Sequence, residues 1–254
     1  MTRKVPLTAV ALVALGASAG LVFAASESPS ERASAPGKIE AAKKSAGKPL
    51  RFADSNLFVE INGTDGDAGL QAEMDGEPWR KAIVLDPKGR KLLDFRGEGR
   101  MRNWGLTGLS FESAEPGFDE IPLAKFRARF PQGKYRFRGR TIDGKLIIGS
   151  ARLTHVFPKR PKVLFPTPDA VVPVGDLTVR WEPVTKPAGV KIVDYEVILG
   201  GDGGESASIE LPSTATSLTL PGELLKPASE YAIEVLAREK SGNRTITEVP
   251  FTTG

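Results

Sequence analysis

Beyond residue 50 the apolar residues of this 254-residue chain come in short runs, many of them alternating with polar side chains. Glycine, proline or aspartate separates one run from the next. That pattern predicts strands joined by tight turns. Strands are expected over 57–61, 70–74, 81–85, 91–95, 106–111, 135–141 and 146–156, with "DPKGR", Asp86 to Arg90, as a tight turn between two of them. One stretch departs from the pattern. "DEIPLAKFRARFP" spaces Leu123, Phe126 and Phe130 as on a helix, with Asp119 as N-cap and Pro131 as stop. The expected class is all-β, with a sandwich or jelly-roll-like domain over 51–157 carrying one short helix.

The first 50 residues read differently. Arg3 and Lys4 precede an uncharged apolar run from Val5 to Ala24, and Val22 and Ala24 supply the small residues of a cleavage site. This is the pattern of a secretory signal peptide over 1–24, the alternative being an uncleaved membrane anchor. Residues 25–50 are rich in Ser, Ala, Pro, Lys and Glu and hold little that could be buried, so a disordered tether is expected there. The chain has no cysteine, so an exported fold must be held by its cores alone, and thiol chemistry and cysteine metal sites are excluded. Export from a bacterium, to the periplasm or the medium, fits best. The sequons at Asn62 and Asn243 would matter only in a eukaryotic secretory route.

After "PKRPK", residues 158–162, which reads as a stiff linker, the pattern becomes specific. "DLTVRWEPV" is an alternating strand with Trp181 facing inward, and "VDYEVILGG" puts Tyr195, Val197 and Leu199 on one side. "LLKPASEYAIEVLAREKSGN" then places Leu225, Pro227, Tyr231, Val235, Ala237 and Gly242 at the spacing of a Leu-x-Pro turn, a corner tyrosine, an alternating strand and a glycine turn. In these residues the segment 158–254 resembles a fibronectin type III domain. The resemblance implies an immunoglobulin-like sandwich, a Tyr231 hydroxyl that folds back onto the chain, and interaction work rather than catalysis. Ala228 stands where the family often has glycine, which implies a strained corner.

Candidate sites are few. His155 is the only histidine, lies at a strand end, and is expected to be half-buried there, so triads and zinc sites find no support. Nothing singles out a carboxylate pair for a hydrolase, and no cofactor motif occurs. Asn62, Asp65 and Asp67 in "NGTDGDAG" are a weak candidate for calcium, completed by Glu60 or Glu73 if the fold brings one there; asparagine, aspartate and glycine also make ordinary turns.

The strongest hint is "KYRFRGRTIDGKLIIGSARLTHV". Alternation sets Lys134, Arg136, Arg138 and Arg140 on one face of a strand and Tyr135 and Phe137 on the other. A two-residue turn at Asp143-Gly144 would pair Arg138 with Gly149. A loop one residue longer pairs Tyr135 with Leu153 and Phe137 with Ala151, and brings Arg152 onto the cationic face. The second register is expected because it keeps the apolar residues together.

Whole-chain charge adds little, since residues 51–157 hold 18 basic and 15 acidic side chains and residues 158–254 hold 10 and 13. The reading is a non-catalytic, exported binding protein whose cationic face holds an anionic polysaccharide or another envelope component. The alternatives are a passive spacer or assembly module and, further off, a carbohydrate-active or metal-assisted hydrolase. Nucleic acid is not expected, nor is membrane contact except through an uncleaved signal segment.

Overall fold

The computed structural model describes residues 48–201 and 206–254. The expected signal segment and all but the last residues of the expected tether lie outside the described residues. The tether's final residue, Leu50, already begins β1 (Leu50–Arg51), which is followed by β2 (Asp54–Asn62) and β3 (Asp67–Leu85).

β3 replaces two expected strands with one of 19 residues. Its first half pairs with β2, and its register breaks between Asp75 and Trp79. Pro78 has no N–H to give a ladder, and Gly76 leaves room that a Cβ would lose, since it would stand 3.1 Å from Ile147 and 3.2 Å from Phe52. The bend makes β3 a member of two sheets. β4 (Lys91–Arg96) pairs with its second half and β5 (Leu106–Glu112) mostly with its first.

A short helix α1 (Leu123–Arg129) follows, with Phe126 its buried residue. Its N-cap is Pro122 rather than Asp119, because 117–121 already closes a turn in which Ile121 N–H donates to the Gly117 carbonyl. β6 (Gly133–Thr141) and β7 (Leu146–Leu153) form a hairpin, and β1 adds to β7 in parallel. One sandwich thus consists of β5-β3-β2 packed against β4-β3-β6-β7-β1. Trp79, Val84, Tyr135, Phe137 and Ile147 fill it.

The remaining strands are β8 (Lys162–Phe165), β9 (Ala170–Val172), β10 (Leu177–Glu182), β11 (Ile192–Gly201), β12 (Ser206–Pro212), β13 (Ser217–Leu220), β14 (Glu230–Glu239) and β15 (Arg244–Thr253). They form a second sandwich of β13-β10-β8 over β15-β14-β11-β12. Trp181 and Tyr195 pack in its core with ring centroids 5.5 Å apart. The Tyr231 hydroxyl accepts the Lys226 N–H at 2.7 Å, closing the expected corner, and Ala228 takes a left-handed φ of 50°. Strand order and corner together are those of a fibronectin type III sandwich.

From Pro49 onward the described chain is one compact unit carrying these two cores. β15 pairs in parallel with β2, so a single sheet runs through both halves. Asn243 is fully buried at this junction. Its Oδ1 accepts the Val59 N–H at 2.8 Å, and its Nδ2 donates to the carbonyls of Thr154 and Val156. Those bonds end β7 at Leu153, short of the expected residue 156, and they leave no access for a glycan at the second sequon. The 158–162 linker is packed here as well: Thr245 and Thr247 hydroxyls donate to the carbonyls of Pro158 and Pro161, and Arg160 donates to Gly63.

Candidate anion-binding face

The site begins with the alternation of β6. Lys134, Arg136, Arg138 and Arg140 are exposed, while Tyr135, Phe137, Gly139 and Thr141 are buried. Glycine at 139 is required by close packing, since a Cβ there would meet the Lys81 carbonyl at 2.7 Å and Ile147 at 2.8 Å.

The register with β7 differs from both sequence-based pairings. Tyr135 lies opposite Ala151, Phe137 opposite Gly149 and Lys134 opposite Arg152. The cause is the turn. Gly144 N–H donates to the Thr141 carbonyl with Gly144 at φ 84°, so a type I turn plus a left-handed glycine makes a three-residue loop, 142–144. The pairing is two residues out from the expected one. A shift of two preserves which side chains share a face, so the five predicted cations, Arg152 included, do lie together and exposed.

Neighbouring strands extend the face. One row across the sheet reads Arg96, Lys81, Arg140, Leu146; the next reads Asp94, Ile83, Arg138, Ile148, with Arg51 beside Ile148; the third holds Lys91, Leu85, Arg136 and Ser150. A fourth row adds Lys134 opposite Arg152, so nine cations share these rows with a single carboxylate. Asp94 takes Lys91 at 2.7 Å, Arg96 at 3.2 Å and Lys81 at 3.7 Å. The hydrogen bonds from Arg96 and then Lys91 hold its pKa well below the usual carboxylate range. Among the described residues no carboxylate pairs with Arg51, Lys134, Arg136, Arg138 or Arg152.

Two concavities mark the face. One, of about 460 Å³, is lined by Arg51, Lys134, Arg136 and Arg138 together with the aliphatic Leu85 and Ile148. The other, of about 320 Å³, is lined by Arg152, Lys240, the paired Arg238 and Arg244 and one carboxylate, Glu73, and Ser150 borders both. Arg51 and Lys240 escaped the sequence reading because non-local pairing brings them in: β1 joins β7 in parallel, and the β14–β15 turn abuts β2.

The acids gather elsewhere. Carboxylate oxygens of Glu60, Glu112 and Glu115 converge within 4.8 Å of one another. Burial, then the charges of Glu60 and Glu112, push Glu115 up to about 8. Burial, then Glu248 and Glu60, push Glu234 up to about 7. Burial also raises Glu60 against the pull of its partner Arg244.

The calcium candidates are largely occupied by each other. Asn62 Oδ1 accepts the N–H groups of Thr64 and Asp65, and its Nδ2 donates to Asp65 at 2.9 Å, as in an Asx turn. Asp67 keeps one buried carboxylate oxygen without a partner and is shifted upward by burial and then by Asp65. His155 is half-buried, with Nε2 2.8 Å from the Phe130 carbonyl oxygen.

No protein-family profile matches the chain, and no curated protein does. Among solved structures it is similar to a two-domain fibronectin type III segment of chicken tenascin, at 13% identity over 78% of this chain and 99% of that one, with a TM-score of 0.30. It is also similar to the FN1–FN3 domains of chicken CNTN1, at 13% identity and a TM-score of 0.32, covering 81% of this chain and 64% of that one. A fibronectin type III domain of the human collagen α-1(XX) chain is 25% identical over 37% of this chain and 79% of its own length, with a TM-score of 0.26. The strand order and the tyrosine corner carry the fold assignment. The molecule is an all-β protein with a fibronectin type III-like sandwich, a class whose members bind partners or space other domains.

Proposed function

We propose that this chain is a non-catalytic, exported envelope protein that holds an anionic polymer, an acidic polysaccharide foremost, across the outer face of β4-β3-β6-β7-β1. The observation that carries the reading is the imbalance of that face: nine cations beside one carboxylate that is already bonded by three of them. Like charges so placed repel one another unless a polyanion or salt compensates them. Arginine forks suit carboxylate, sulfate or phosphate groups bidentately, and two concavities sharing a border suit a chain better than a single small anion.

The test is binding to an array of acidic and neutral polysaccharides at low and physiological salt. Acidic polymers should bind, and Arg136→Ser with Arg138→Ser should weaken them at least about tenfold, as loss of charged hydrogen bonds implies. The loss should shrink as salt rises, because the Debye length falls to about 8 Å at physiological strength. The alternative is a passive spacer or assembly module, favoured by the rigid junction that Asn243 and the β2–β15 pairing build. Failure of every acidic polymer to bind at low salt selects it.

A further inference from the structure

At one end of the cationic sheet two loops meet. The first runs from Gly97 to Gly105 and includes a 3-10 turn, Gly99–Arg102. The second is the β6–β7 turn. A Cβ on Gly105 would sit 3.0 Å from Ile142 Cγ2, so the loops touch, and Arg80 donates to the Ile142 carbonyl at 2.9 Å to fix the turn. Their tip exposes large apolar side chains where tight packing would ordinarily hide them. Trp104 is 80% exposed, Met101 42% and Ile142 38%. The other two tryptophans, Trp79 and Trp181, are at most 1% exposed.

Cations frame this tip. Arg100 and Arg102 alternate with Met101 in the 3-10 turn, and the row Arg96, Lys81, Arg140 lies next to it on the sheet. An exposed indole, methionine and isoleucine on two touching loops that also carry Arg100 and Arg102 have the chemistry of a membrane interface. The ring and aliphatic chains enter the boundary between headgroups and acyl chains, while the arginines stay among anionic phosphates. A soluble polyanion would use the arginines and leave Met101 and Ile142 without a role.

We propose that the Met101–Trp104–Ile142 tip docks the protein onto an anionic lipid surface. This contact is separate from any made by the N-terminal segment and from polymer binding on the sheet face, although the same cations attract the surface from a distance. The occupant is a lipid bilayer bearing acidic headgroups.

Tryptophan fluorescence isolates the contact in the full chain, because residues 1–48 hold no tryptophan and Trp79 and Trp181 are buried. With phosphatidylglycerol vesicles the emission should shift to the blue and become quenchable by brominated acyl chains; with phosphatidylcholine vesicles both changes should be weak. Arg100→Ser with Arg102→Ser should weaken the phosphatidylglycerol response roughly thirtyfold, at about 1 kcal/mol per basic residue near the surface. Trp104→Phe, with vesicle binding read by sedimentation, should retain affinity, and Trp104→Ser should lose about tenfold or more. The Arg136→Ser, Arg138→Ser pair should weaken vesicle affinity at low salt but leave the quenching reached at saturating lipid unchanged, so loss of polymer binding and loss of docking are distinguishable. Sedimentation with vesicles without any shift or quenching of Trp104 would overturn the proposal. So would an equal blue shift produced by a soluble acidic polysaccharide alone.

Discussion

Asn243 reads in the sequence as the first residue of a sequon, yet it is the polar pin of the molecule. One carboxamide satisfies the buried Val59 N–H on β2 and two partly buried carbonyls of the 154–156 segment. Asn243→Ala removes those partners and leaves the buried Val59 N–H without one. It should lower stability by about 3 kcal/mol, the upper range for orphaned buried groups, in a urea titration. No loss would mean that water replaces the carboxamide. Ala228 was legible as a strained position from the corner pattern, and its φ of 50° bears that out. A left-handed alanine costs roughly 1–2 kcal/mol against glycine, partly offset by glycine's greater unfolded entropy. Ala228→Gly should therefore raise stability by about 1 kcal/mol, and a drop in melting temperature would refute the strain.

At the scale of elements, β6 shows what periodicity can and cannot say. Its two faces follow from the alternation of residues 134–140 alone, because a strand allows nothing else. The loop length does not, because the left-handed Gly144 fits either a two-residue turn or a three-residue loop, and the bonds from Gly144 N–H to Thr141 and from Thr141 N–H to Lys145 select the latter. In the sequence Gly76 and Pro78 break β3 into two apparent strands, and in the fold they make a bend. Arg51 and Lys240 were invisible because their place on the site depends on pairing across long sequence separations. The face assignment has a direct consequence. Arg136→Ser with Arg138→Ser should change stability by no more than about 0.5 kcal/mol, and at low salt the change should favour the fold by relieving repulsion. Phe137→Ser, at a fully buried position, should cost at least about 3–5 kcal/mol. Thermal melts of the two variants showing the reverse order would swap the faces.

On the scale of the whole molecule, near-balanced charge conceals segregation. Cations crowd the outer face of β4-β3-β6-β7-β1, and carboxylates crowd the region of β2, β5, β14 and β15, where Glu60, Glu112, Glu115, Glu234 and Glu248 influence one another. The carboxylate crowding sets how stability responds to pH. Burial and neighbouring acids raise Glu115 from an ordinary 4.5 to about 8 and Glu234 to about 7. The folded state therefore binds these protons more tightly than the unfolded chain, and stability falls as pH rises through that interval. Their contribution is fully present below about 4.5 and lost on passing about 7 and then about 8. Asp94 and Asp143 are shifted the other way, and what they contribute is lost only at pH values below the ordinary carboxylate range. Between pH 8.5 and 5 the crowded acids should dominate. The melting temperature should rise steadily on acidification across that range. Glu115→Gln, which keeps the shape and removes the charge, should raise the melting temperature at pH 8 and flatten the profile. A melting temperature that is constant or falls over the same range would show that the carboxylates are better solvated than their positions imply.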